Sequence, residues 1–204
     1  MTQVKLTKNE LRNQEIKRSQ LKKYLPTLQL KKAMLQAEVN QIQMEIEEQE
    51  QVLSKKKENL FPSSKLVTDP KAADLFDSIE ILDVRKRYEN IAGVDCPIFE
   101  SVEFAKRTYS LFDTPLWLDG IVAETKDVIT VREIINVMGE KKAALEKELR
   151  EVSIRVNLFE KIMIPRTEEN IKKIKVFLGD QQLASVAQAK VAKQKIELRK
   201  QVAG

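Results

Sequence analysis

The sequence predicts a mainly α-helical protein. Its N- and C-terminal helices form a long antiparallel coiled-coil hairpin, and a small inserted lobe holds a short helix and a β-hairpin. Three observations carry this. Charged residues are 33% of the 204 and aromatics only 5%, a balance suited to exposed helix faces rather than a broad core. Apolar residues recur at alternating spacings of three and four along both terminal segments. Between them the pattern changes to short extended runs with turn signals. Two heptad segments flanking an insertion must run antiparallel if they pair, and pairing hides the apolar stripe that each exposes.

The N-terminal helix is expected within residues 1–58. Thr7 and Glu10 form a T-x-x-E capping box, which marks a helix start. One core position then holds Leu11, Arg18, Leu25, Lys32, Val39, Ile46 and Leu53. The other holds Gln14, Leu21, Leu28, Leu35, Ile42 and Gln49. Some fifty residues at about 1.5 Å each make a rod of roughly 75 Å. Pro26 falls one residue after a core leucine, so the helix is expected to kink there or to start properly only after it.

The lobe is expected over residues 59–129. LFPSSKLVTDP (60–70) reads as a break and KAADLFDSI (71–79) as a short helix. Ile79, Ile81 and Val84, and later Val102 and Phe104, mark extended segments, with turn signals in NIAGVDCP (90–97). Trp117 lies in an aromatic stretch suited to packing the lobe against a neighbour.

The C-terminal helix is expected over residues 130–204, opened by a second T-x-x-E box at Thr130 and Glu133. Its seam holds Ile135, Met138, Lys142, Leu145, Leu149, Val152, Val156, Phe159 and Met163. After Pro165 the seam is Ile171, Ile174 and Leu178, whereas an unbroken register would use 170, 173 and 177. The phase slips by one residue at the proline, which a local change of helical pitch would absorb. Arg18, Lys32, Gln49 and Lys142 weaken the seam and open positions where a partner can bind.

Enzyme chemistry finds little support. There is no histidine, and Cys96 is the only cysteine, so no disulfide forms within the chain and no cysteine zinc site is available. No phosphate loop, dinucleotide fingerprint or nucleophile elbow occurs. Pairs such as Glu47-Glu48 and Glu168-Glu169 read as solvated charge. No catalytic residue, metal or cofactor is expected. No apolar run is long enough to span a membrane, and the start lacks a signal-peptide core. Residues 1–32 hold nine Lys or Arg against two Glu (+7), and residues 181–204 hold five against one (+4), leaving an acidic middle of −6. The basic ends lack interleaved aromatics, which argues against nucleic acid as a partner.

The residues carry a resemblance. Arg155, Asn157, Phe159, Glu160, Ile164, Pro165, Asn170, Ile171, Ile174, Leu178, Lys190 and Lys193 resemble the C-terminal signature of the D subunit of V-type and A-type rotary ATPases. Gly93-Val94 with Pro97 resembles that family's G-V-x-x-P segment, and LTKNEL (6–11) its opening. The resemblance implies a non-catalytic central-stalk rotor, peripheral to the membrane on the cytoplasmic side. Such a shaft couples ATP hydrolysis or synthesis in a head of A and B subunits to proton or sodium transport. It further implies the F and C subunits of such a complex as partners, the latter joining the stalk to the membrane ring. On that reading Pro165 shapes the shaft. Lys8, Arg12, Lys17, Arg18, Lys190, Lys193 and Arg199 are the tips facing the head. The alternatives are a generic coiled-coil adaptor, or a basic rod that binds nucleic acid or anionic membrane.

Overall fold

The computed structural model describes residues 4–62, 79–106 and 116–202, and for residues 116 and 199–202 the backbone alone. Helix α1 spans Lys8–Leu60. It starts where Thr7 caps it: the Thr7 hydroxyl accepts from the Glu10 amide at 3.3 Å, and the Thr7 carbonyl accepts from Leu11 at 3.0 Å. Pro26 lies inside α1, which runs through it without interruption, so no fresh start follows the proline. Pro26 is exposed, while Leu21, Leu25 and Leu28 on either side share the inner face. Their packing holds the helix across the missing hydrogen bond.

The chain divides into two compact units, residues 1–30 with 152–204, and residues 31–151. In the first, α1 runs antiparallel to helix α3 (Ile164–Val202), as Lys22–Glu168 at 2.7 Å and Glu15–Lys175 at 3.0 Å require. Its core is Leu21, Val152, Val156, Ile164, Thr167, Ile171 and Ile174.

In the second unit, α1 runs antiparallel to helix α2 (Leu116–Asn157). Lys31–Glu148 at 2.6 Å, Lys142–Gln43 at 2.6 Å and Lys56–Asp127 at 3.1 Å fix that direction. Leu35, Val39, Ile42, Val137 and Leu145 form the core. A separate cluster of Leu118, Ile121 and Val122 packs with Leu60, Ile79 and Trp117.

Helix α2 begins at Leu116, upstream of the capping box expected at Thr130. Thr130 is interior to it and donates its hydroxyl to the Lys126 carbonyl at 2.8 Å. Leu118, Ile121 and Val122 are buried at helical spacing, and that apolar face overrides the local start signal. The short helix expected at 71–79 lies outside the described residues apart from Ile79, which is in a turn.

Strands β1 (Ile81–Ile91) and β2 (Val94–Phe104) form an antiparallel two-stranded sheet, paired from Ile81↔Phe104 to Ile91↔Val94. The two-residue turn places Ala92 at φ 51° and Gly93 at φ 85°, as a type I′ hairpin requires. Asn90 fastens it, accepting from the Gly93 amide at 3.0 Å and donating to Asp95 at 2.7 Å. The sheet carries buried Cys96 and Pro97 on one strand and leaves Leu82 and Tyr88 in solvent.

Candidate functional site

The seam is the feature from which any mechanical role must be built. On α1, Leu21, Leu35, Val39 and Ile42 are buried; Leu25, Leu28, Ile46 and Leu53 are half-buried. On α2, Leu145, Val152 and Val156 are buried, with Ile135, Met138 and Leu149 half-buried. Leu35 and Leu145 have no exposed surface, and burying such a side chain stabilises by about 1.5–3 kcal/mol. The polar seam positions are adapted rather than empty. Lys142 reaches out of the seam to Gln43 and stands 3.6 Å from Glu146, and Arg18, Lys32 and Gln49 remain half-buried.

A π-helical segment, Leu158–Met163, separates α2 from α3. The Ile164 amide donates to the Phe159 carbonyl, five residues back instead of four. The extra residue therefore sits in the turn before Pro165. Phe159 and Met163 are half-buried within that turn, and Pro165 itself is exposed. From the end of that turn onward the buried positions are Ile164, Thr167, Ile171 and Ile174, followed by half-buried Leu178.

Thr167 escapes a search for apolar heptads because it is polar. It is 4% exposed, and its hydroxyl donates to the carbonyls of Ile164 at 2.8 Å and Met163 at 3.0 Å. Its place seven residues before Ile174 is the signal that marks it as a seam residue. Val137 also escapes the heptad pattern. It is buried because Pro97, Ile98 and Phe99 of the hairpin border the same small cavity as Ile42 and Val137.

The basic positions divide by location. Lys8, Arg12 and Lys17 are exposed on α1, and Arg18 is half-buried. Lys190 and Lys193 are exposed on α3, where every residue from Asp180 to Leu198 is exposed; the Arg199 side chain lies outside the described residues. Lys8 borders a shallow recess with Leu178, Gln182 and Gln188, short of Lys190. Lys17 borders a different recess with Lys5, Arg166 and Asn170.

The hairpin is held to α2 by Lys86, which donates to both Glu140 oxygens at 2.6 and 2.8 Å. That hydrogen bond raises the Lys86 pKa above its ordinary 10.5. Arg85 pairs with Glu103 across the strands. Hydrogen bonds from Lys22 and Lys173 pull Glu168 and Glu169 below the usual carboxylate range. Burial pushes the Cys96 thiol up, away from the reactive thiolate. Among the described residues no three His, Cys, Asp or Glu side chains gather as metal ligands, and no described helix is long and apolar enough to cross a membrane.

Fold and seam together define a class: an antiparallel coiled-coil hairpin with a small β-hairpin lobe. A family model described as the D subunit of ATP synthase matches residues 10–194. The chain is 43% identical over 201 residues to the V-type ATP synthase D subunit of Chlamydia caviae, covering 98% of this chain and 97% of that one. It is 44% identical over 199 residues to the V-type ATP synthase D subunit of Chlamydia pneumoniae, with 97% and 95% covered. The corresponding Chlamydia trachomatis serovar L2 protein is 41% identical over 203 residues, with 98% and 99% covered. The chain belongs to the family of ATP synthase D subunits.

Proposed function

We propose that this chain is the central rotor shaft of a V-type ATP synthase. It couples ATP hydrolysis or synthesis in a head of A and B subunits to proton or sodium movement through a membrane ring, and performs no chemistry of its own. The observation that supports this best is the bare end of α3. From Asp180 to Leu198 the helix continues with every residue exposed, including Leu183, Val186, Val191, Ile196 and Leu198. Such a helix is built to be surrounded. The basic positions from Lys8 to Arg199 then face the inner collar of the head, where long Lys and Arg side chains neutralise carboxylates without rigid packing. The F subunit of the complex binds the stalk, and the C subunit joins it to the ring.

The register shift at Leu158–Met163 gives the shaft a local asymmetry, and Pro165 helps to set it. Pro165→Ala is expected to leave assembly intact and lower the coupling between ATP hydrolysis and ion transport. Unchanged coupling would remove Pro165 from this role. The test of the function itself is co-expression with matching A, B and F subunits and native mass spectrometry. The expected mass has one copy of this chain with three A, three B and one F. A homodimer that never enters the head would overturn the shaft reading in favour of an adaptor.

A further inference from the structure

Between Lys31 and Glu45, α1 turns Leu35, Val39 and Ile42 inward and the opposite face to solvent. No exposed residue of that face is charged: they are Ala33, Met34, Gln36, Ala37, Asn40, Gln41 and Met44. Over Arg132–Glu151 of α2, five of the seven exposed residues are charged (Arg132, Glu140, Lys147, Arg150 and Glu151), so the gap is specific to α1. A solvent-facing coiled-coil surface ordinarily carries charge.

The uncharged face also has a pattern. Met34, Ala37, Gln41 and Met44 are spaced three, four and three, the same alternation as the inner seam. Met34 and Met44 are 51% and 52% exposed. Charge depletion and methionine enrichment characterise the core of protein interfaces, and methionine reshapes to fit a partner. Ala37 between them lets a second backbone come close. Gln36 donates to Asn40 at 3.0 Å and Gln41 to Glu45 at 2.9 Å, which leaves the Asn40 amide nitrogen and the Gln41 carbonyl oxygen for another chain. One end of the face runs into exposed Glu47, Glu48 and Glu50, none of them in an ion pair among the described residues.

We infer that this face binds one α-helix of another polypeptide. That helix presents an uncharged seam spaced three and four, and carries Lys or Arg where it meets Glu47, Glu48 and Glu50. A second copy of this chain fits less well. The face is about 16 Å long at 1.5 Å per residue, and a self-standing dimer buries roughly 800 Å² per partner. A parallel copy would also set like carboxylates side by side.

The inference rests on the proposed function only for where the partner is found, in the assembled ATP synthase. The chain is co-expressed with the other soluble subunits of its complex, with a photo-crosslinking residue at Met34 or Met44, or at Lys147 or Arg150 as controls. Met34 and Met44 are expected to crosslink to residues three or four apart on one helix of one other polypeptide, and the controls are not. Met34→Glu with Ala37→Glu and Met44→Glu is expected to weaken binding of that polypeptide at least tenfold with the melting temperature unchanged. Glu47→Lys with Glu48→Lys should weaken it as well. Crosslinks to a second copy, or a triple variant that binds as tightly as the wild type, would overturn the inference and leave the shaft reading standing. A wild-type chain that never joins the complex would overturn the shaft reading and this partner together.

Discussion

Deleting Lys161 separates the two possible causes of the π turn, the register and the proline. Lys161 is exposed within Leu158–Met163, so its removal takes away one residue and no packing. The downstream seam then moves back by one, and Ile164 falls seven residues after Val156. The heptads become continuous and the turn can close to ordinary α geometry. Pro165 now meets a carbonyl four residues back, where a proline costs about 3 kcal/mol relative to alanine. In the parent chain the wider turn already relieves that clash. Pro165→Ala there restores at most one backbone hydrogen bond, about 1 kcal/mol. The substitution should therefore stabilise the deletion variant by about 2 kcal/mol more than it stabilises the parent. Urea unfolding of the four proteins, followed by circular dichroism, measures the difference. Equal gains in both backgrounds would refute the idea that the π turn accommodates the proline.

Leu35→Ala or Leu145→Ala should cost about 2–5 kcal/mol in urea unfolding, because each leaves a cavity in a fully buried seam position. Thr167→Val should cost about 1 kcal/mol for the lost hydroxyl bonds, and Thr167→Ser should keep those bonds and lose only a methyl contact. Ala92→Gly should gain up to about 1 kcal/mol, since alanine at φ 51° is strained in a type I′ turn. Lys86 is held protonated, so its contribution is complete below pH 10.5 and lost as pH rises through its raised pKa. A Lys86→Gln variant should lack that alkaline step in hairpin amide exchange. Glu168 works in the opposite sense: the Lys22 bond lowers its pKa, so its contribution holds above the ordinary carboxylate value and fades as pH falls through the lowered one.

Much of the fold is legible in a two-letter apolar pattern, because a coiled coil is nearly one-dimensional. Leu21, Leu35, Val39 and Ile42 need only their spacing to be placed inside. Where the structure departs from the pattern, a second layer of packing or a polar atom intervenes. Thr130 carries a valid capping motif, yet Leu118, Ile121 and Val122 extend the helix upstream of it. Thr167 is silent in an apolar search because its hydroxyl is satisfied by its own helix. Pro26 allows a fresh helix start after it, yet α1 runs through it from Lys8 to Leu60. The one-residue slip can be read from the sequence; its placement in the turn before Pro165 cannot, because a slip shows only where the new register begins.

The downstream residues explain why the shift persists. Were the helix to continue in α geometry after Val156, the seam would fall on Met163, Arg166, Asn170, Lys173 and Phe177. That would bury two cations and an amide, and would expose Ile171 and Ile174, which are now 5% and 0% exposed. Losing two isoleucines from the core costs about 3–6 kcal/mol at 1.5–3 kcal/mol each, and an unpaired buried charge costs several more. A single π turn forfeits far less, since its backbone stays hydrogen-bonded from Ile164 to Phe159. The proline is then a consequence as much as a cause. At a turn already widened by the register, position 165 is exposed, so a proline, which has no amide hydrogen to donate, is tolerated there at little cost.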